Sequence, residues 1–94
     1  MWVQDLRARV QPGHRLAVVD VSAAGALVEA ACQLRPGSVV VIHLEHENIR
    51  HRVSALVTRC VVAAIDPIHG IRYRAALCFS ECCEWVRETA TREG

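Results

Sequence analysis

A short polar turn at Asp20–Gly25 constrains the fold more than any other feature of this sequence. An apolar run at residues 16–19 precedes it and a second apolar run at residues 26–28 follows it. This pattern predicts a strand, a tight turn and a second strand. Within such a turn, Asp and Ser oxygens can accept hydrogen bonds from backbone N–H groups, and Gly can take a positive φ. The residue types of the turn are therefore explained without catalytic chemistry.

Further turns that contain Pro and Gly divide the rest of the chain into strands. The predicted strands run from Trp2 to Val10, His14 to Val21, Ala26 to about Ala31, Ser38 to Glu45, Ile49 to Ile65 and Ile71 to Phe79. The fifth of these is unusually long for a small domain. In a small barrel that length predicts a bent or bulged strand that curls around the core.

The last predicted strand has the clearest alternation of the chain, and a helix is predicted after it. Its core-facing residues are expected to be Ile71, Tyr73, Ala75, Leu77 and Phe79. Ser80 is a suitable N-cap and carboxylates follow it, which predicts a helix from Glu81 to about Thr91. On that helix Trp85 either packs on the barrel or remains exposed as an anchor for a second copy or another protein.

The composition favours a single small β domain. Ninety-four residues fit one domain, 1–94, with a barrel over about 2–79 and the helix over about 81–91. The chain is 52% hydrophobic but only 4% aromatic, so its core must consist mainly of Val, Leu, Ile and Ala. Such side chains pack well on strands. We therefore predict an all-β fold, a six-stranded antiparallel β-barrel with a C-terminal α-helix.

Charge and cysteine content restrict the class of protein further. A formal net charge of +1 produces no strong electric field that would attract a nucleic acid polymer. A local basic pocket for a small dianion is compatible with it. The N-terminus lacks the apolar core of a secretory signal and no run is long enough to span a membrane, so we expect a cytoplasmic protein without a membrane partner. The five cysteines follow no disulfide pattern, which indicates reduced thiols, with Cys60 and Cys78 as buried apolar side chains.

Two kinds of chemistry find little support in the sequence. His43, His46 and His51 cluster near two glutamates, but no metal-binding spacing is present, and a polar hairpin end explains them better. No nucleophile motif, glycine-rich phosphate loop or paired carboxylates occur in a recognisable setting. We therefore expect a binding protein rather than an enzyme, with no metal and no cofactor.

The turn also carries a family resemblance. Asp20, Ser22 and Gly25 form the pattern D-x-S-x-x-G, which resembles the second signature of the PilZ family, bacterial domains best known as receptors for cyclic di-GMP. The apolar strand before the turn, the Pro36-Gly37 turn after it and the strand 73–79 are similar to the same family. The resemblance implies a barrel whose turn contacts the guanine edges of the nucleotide.

The first PilZ signature, an R-x-x-x-R segment ahead of the first strand, is missing. Arg7 and Arg9 are two residues apart, with Gln11 and Gly13 four residues after them. A longer parent chain or a divergent family member would explain the difference. Arg7 and Arg9 share the polar face of their strand, so they are either candidates for a phosphate contact or solvated surface arginines. The resemblance thus implies a regulatory module that senses cyclic di-GMP or descends from such sensors. The alternative is a ligand-free adaptor that uses the barrel surface and the Trp85 helix to assemble with a second copy or another protein.

Overall fold

Six antiparallel strands form the described part of the chain. The computed structural model describes residues 6–11, 13–47, 49–81 and 83. The strands are β1 Arg7–Val10, β2 His14–Val21, β3 Gly25–Ala30, β4 Val39–His46, β5 Ile49–Asp66 and β6 Gly70–Phe79. Hydrogen-bonded neighbours follow the order β1-β2-β3-β6-β5-β4, and β4 pairs back with β1. The predicted six-stranded antiparallel barrel is confirmed.

The barrel interior is filled by small aliphatic side chains from alternating positions of all six strands. Its buried residues include Ala8, Val10, Leu16, Val21, Val28, Ala30, Ile42, Leu44, Val53, Ala55, Val57, Ala75, Leu77 and Phe79. Closure pairs the strand edges with one another, and a six-stranded interior leaves room for little more than such side chains. This is why a chain with so few aromatic residues can still form a packed core.

The far halves of β5 and β6 leave the barrel and form what we call the β5–β6 arm, which comprises residues 59–66 of β5 and residues 70–73 of β6. Pairing of β4 with β5 ends at Leu56, and pairing of β3 with β6 ends at Tyr73. Beyond these points each strand has the other as its neighbour, and Ile65 is 75% exposed. Bulges occur between Val57 and Arg59 and again before Ala64, as predicted. The prediction that the whole of β5 curls around the core is wrong.

The core prediction for the last strand is also wrong at its first residue. Ile71 lies in the arm and is exposed, and Tyr73 is half-buried. Their positions follow the apolar alternation, but no third strand covers that part of the hairpin among the described residues. Alternation therefore predicted the face of each side chain correctly and its burial incorrectly.

Charged contacts stabilise both ends of the arm. At its base Glu29 pairs with Arg72 and Arg74, and the Arg74 Nε–Glu29 Oε2 distance is 3.2 Å. The hydrogen bonds from Arg74, with the charges of both arginines, hold the pKa of Glu29 below its ordinary value. At the tip Asp66 accepts hydrogen bonds from the backbone N–H groups of Ile68 at 2.7 Å and His69 at 3.1 Å. The hydrogen bond from the His69 ring, together with these two backbone bonds, lowers the pKa of the Asp66 carboxyl.

Several expectations fall on residues near the termini. The predicted helix Glu81–Thr91, with Trp85, lies outside the described residues except for Glu81, in a bend, and Cys83. Residues 2–5 of the predicted first strand also lie outside them. Of the cysteines that the structure describes, all four are free thiols, and Cys78 is exposed, contrary to expectation. Within the described residues no helix has the length and apolar character needed to cross a bilayer.

Candidate functional site

The turn at Asp20–Gly25, called the corner below, connects β2 to β3 and is held by its own polar groups. The backbone N–H of Val21 donates to Asp20 Oδ1 at 3.0 Å. The Ser22 hydroxyl accepts from the N–H of Ala24 at 3.3 Å and donates to the Gly25 carbonyl at 3.4 Å. The N–H of Ser22 donates to the same carbonyl at 2.8 Å. The predicted side-chain to backbone bonds of the corner are confirmed.

Gly25 is required by packing rather than by its φ angle. Its φ is not positive, whereas Gly13, Gly37 and Gly70 do have positive φ. The expectation of a positive φ at this position is therefore wrong. A Cβ atom built on Gly25 would overlap the backbone oxygen of Leu77, which lies on the neighbouring strand β6. The missing side chain is what allows β3 and β6 to approach this closely.

Two backbone hydrogen bonds fix the corner against the end of β6 and the chain that follows it. Phe79 N–H donates to the Ala24 carbonyl at 2.8 Å, and Cys83 N–H donates to the Ala23 carbonyl at 2.7 Å. Cys83 is 1% exposed and belongs to the hydrophobic core. The corner is thus positioned from both sides, which gives its carboxylate and hydroxyl fixed places on the surface.

The corner borders a small open pocket of about 330 Å³. The polar side chains at this pocket come from Asp20 and Ser22, while Leu27 and Cys78 form its apolar wall beside the backbone of Gly25. The volume is at the small end of the range of ligand pockets. A carboxylate and a hydroxyl above an apolar wall can bind a flat group that presents N–H donors, such as one nucleobase.

The two predicted arginines lie in a different place. Arg7 and Arg9 line a larger pocket of about 850 Å³ on the outer face of β1, β4 and β5, and the two pockets share no lining residue. Arg9 pairs with Arg15 on β2, five residues before Asp20, which is about 16 Å at the usual rise of a strand. The structure therefore separates the five predicted site residues into a corner group and an arginine group.

Sequence reasoning missed the residues beside those arginines, which are His43 and Glu45 on β4 and Arg50 and Arg52 on β5. The strand register places His43 between Arg9 and Arg52, and Glu45 between Arg7 and Arg50. All six residues line the larger pocket. The signal that could have revealed them is a second pair of arginines at period two, Arg50 and Arg52, in a strand that neighbours β4.

The histidine cluster predicted to be a polar hairpin end is split between the two faces of the sheet. His43 is exposed, whereas His46 is 4% exposed. Because their positions differ by an odd number of residues, their side chains leave β4 on opposite sides. No group of three histidine, cysteine or carboxylate side chains able to hold a metal ion occurs in the part of the chain that the structure describes.

Comparisons with known proteins add no family to this description. The chain matches no family model, no curated protein and no solved structure. The corner and the arginine pocket are therefore interpreted from their own chemistry.

Proposed function

We propose that the chain is a regulatory binding module of the PilZ type, in which the corner pocket holds one guanine base of cyclic di-GMP. The observation that carries the proposal is the corner itself. It combines a carboxylate, a hydroxyl and a glycine beside a pocket of about 330 Å³. Asp20, Ser22 and Gly25 are the residues that the PilZ resemblance assigns to guanine contact.

The chemistry of the corner suits a guanine edge. Guanine presents N–H donors, from which a carboxylate such as that of Asp20 can accept hydrogen bonds. The Ser22 hydroxyl can both donate and accept, as it already does within the turn. The volume suits one base rather than a whole dinucleotide, so the phosphates require a cation outside the corner. Continuing the β1–β2 register puts Arg7 opposite Ala17, about 10 Å from Asp20 along the strand, so Arg7 is a better phosphate candidate than Arg9.

Calorimetric titration with cyclic di-GMP tests the proposal. Asp20→Ala and Ser22→Ala are expected to abolish the binding heat with limited loss of stability, because each removes only local hydrogen bonds. Asp66→Ala and Ser38→Ala are matched controls, because these side chains also bond the backbone of a turn, at 2.7 Å and 2.6 Å, away from the corner. Both controls should keep the binding heat of the unmodified chain.

The exposed Cys78 thiol gives a second readout at the same place. Cys78 pairs with Gly25 and lines the corner pocket. Bound cyclic di-GMP should slow alkylation of Cys78, measured by peptide mass spectrometry, and leave alkylation of Cys60 in the arm unchanged. Absence of heat and of Cys78 protection at high nucleotide concentration would exclude the proposal for this chain.

The arm favours a second candidate function, an adaptor that assembles with a second copy of itself. The β5 edge from Arg59 to Asp66 carries no strand partner on its outer side among the described residues, and Val61, Val62 and Ile65 on it are exposed. Exposed apolar edge strands pair readily with other strands. In the register that aligns two such edges end to end about a twofold axis, Arg59 of each copy lies opposite Asp66 of the other. This charge complementarity argues for a second copy rather than for an unrelated partner.

Sedimentation velocity distinguishes the adaptor from a monomeric receptor. A self-pairing edge should give a dimer at micromolar concentration, and Val62→Lys should convert it to a monomer by placing a charge within the paired edge. Ile68→Lys is the matched control, since Ile68 is 86% exposed but lies in the turn beyond the edge. A chain that stays monomeric at high concentration would eliminate this candidate.

A further inference from the structure

Two pairs of arginines face each other across β4 on the outer surface of the barrel. The pairs lie on β1 and β5, and the residues between them belong to β4. We call this site the arginine groove, and it consists of Arg7, Arg9, His43, Glu45, Arg50 and Arg52. The groove has a volume of about 850 Å³, within the range of small-molecule pockets.

The arginines of the groove are not used to hold the fold together. Among the described residues none of the four guanidinium groups makes an ion pair or a hydrogen bond, whereas Arg72 and Arg74 both pair with Glu29. The groove holds four guanidinium groups against a single carboxylate, that of Glu45. Like charges that share one face of a sheet repel one another, and this repulsion destabilises the folded chain. This cost is unexplained by the barrel and is offset if the groove binds an anion.

The spacing of the arginines suits more than one anionic group. Strands lie about 4.8 Å apart, so β1 and β5 are about 10 Å apart, and two residues along a strand span about 6.6 Å. Long arginine side chains from both sides can therefore converge above β4. Guanidinium groups bind phosphate oxygens in a bidentate manner, and four of them can serve several phosphoryl groups together.

The groove chemistry favours a small ligand over a nucleic acid chain. It contains no Phe, Tyr or Trp side chain on which bases could stack. The net charge of the chain is only +1, and Glu45 would repel a continuous phosphate backbone laid along the groove. We infer that the arginine groove binds a small oligophosphate, a molecule that carries two or more linked phosphoryl groups. The arginine groove shares no lining residue with the corner pocket. Arg7 is the one groove residue also proposed to contact a phosphate of cyclic di-GMP, so the inference is tested at Arg9 and Arg52 and does not depend on nucleotide binding at the corner.

Calorimetric titration with inorganic tripolyphosphate, at matched ionic strength, tests the inference. We expect tripolyphosphate to bind more tightly than inorganic phosphate, and Arg9→Ala or Arg52→Ala each to weaken it about tenfold, the loss expected for one charge-assisted contact. Glu45→Gln should strengthen binding severalfold, because it removes the opposing carboxylate. Arg35→Ala is the matched control, since it removes the same charge from an exposed arginine outside the groove and should leave binding unchanged.

A parallel titration with adenosine triphosphate identifies the source of the oligophosphate. Affinity equal to that of tripolyphosphate assigns the site to the phosphate chain alone, and higher affinity assigns it to a nucleotide. The corner variant Asp20→Ala should leave both affinities unchanged, which separates this inference from the proposed function. Cyclic di-GMP binding that is lost in Arg9→Ala but kept in Asp20→Ala would instead move the nucleotide to the groove.

Three results would overturn the inference. The first is that Arg35→Ala weakens tripolyphosphate binding as much as Arg9→Ala does, since the affinity would then follow the total charge of the chain. The second is equal affinity for phosphate and tripolyphosphate. The third is a single-stranded oligonucleotide that binds more tightly than tripolyphosphate, which would assign the groove to nucleic acid.

Discussion

The two halves of the β5–β6 hairpin have similar sequences and opposite environments. Near the barrel, Val53, Val57 and Leu77 are buried. In the arm, Val62 and Ile65 are 53% and 75% exposed although they continue the same apolar strand. The change comes at the bulge after Val57, close to where β4 ends its pairing with β5.

The difference shows that neighbouring strands, rather than apolar residues, decide whether a strand belongs to the core. A two-stranded hairpin has both faces open, and alone it is marginally stable in water. The barrel half is covered because β3 and β4 flank it. The arm half therefore lends the barrel little stability and is available for contacts with other molecules.

The largest expected effect comes from truncating matched isoleucines in the barrel and in the turn at the tip of the arm. Ile42 is 1% exposed, so Ile42→Ala should cost about 3 kcal/mol of unfolding free energy through lost burial and a cavity. Ile68 is 86% exposed, and Ile68→Ala should change stability by less than about 0.5 kcal/mol. Urea denaturation followed by circular dichroism measures both. Equal losses would mean that the arm belongs to the cooperative core.

A smaller contrast is expected between two glycines. Gly25→Ala should cost roughly 2 kcal/mol, because its Cβ would force β3 away from the Leu77 carbonyl. Gly70 has φ 84° and open space around it, so Gly70→Ala should cost about 1 kcal/mol through the left-handed backbone alone. Thermal unfolding ranks the two variants. A milder effect at Gly25 would show that the two strands can separate without loss.

The smallest expected effect is the pH dependence of the pair at the base of the arm. Glu29 has an ordinary pKa of 4.5, and the hydrogen bonds from Arg74 lower it in the folded chain. Because the folded pKa is the lower one, the stabilisation is complete above pH 4.5 and is lost as pH falls through the lowered value. The stability advantage over Glu29→Gln should therefore shrink as the pH is lowered. A stability advantage over Glu29→Gln that grows as the pH falls would contradict a stabilising ion pair between Glu29 and Arg74.

Much of the barrel could be predicted from the sequence because its turns are marked by local chemistry. The bounds of β2 were predicted at both ends, since Gly13 precedes it and the corner follows it. The arm could not be predicted in the same way. Alternation along β6 is the same at Ile71 as at Leu77, and only the lengths of β3 and β4 determine which of them is covered.

The candidate site was predictable to the extent that it is local. The side-chain hydrogen bonds of the corner join residues at most three positions apart, so its residue types reveal them. The arginine groove joins β1 to β5 through a register that only the closed barrel fixes. The close approach of Gly25 to Leu77 also depends on residues far apart in sequence, which is why its glycine was given the wrong physical reason.

The closing seam of the barrel is its shortest strand, β1, with four residues held between β2 and β4. An anion that contacts Arg9 and Arg52 together would tie this strand to β5, the longest one, across the intervening strand. Occupancy of the groove would then slow amide hydrogen exchange along β1 more than along β3. A ligand bound on the outer surface would in this way make β1 harder to separate from β2 and β4, the two strands between which it closes the barrel.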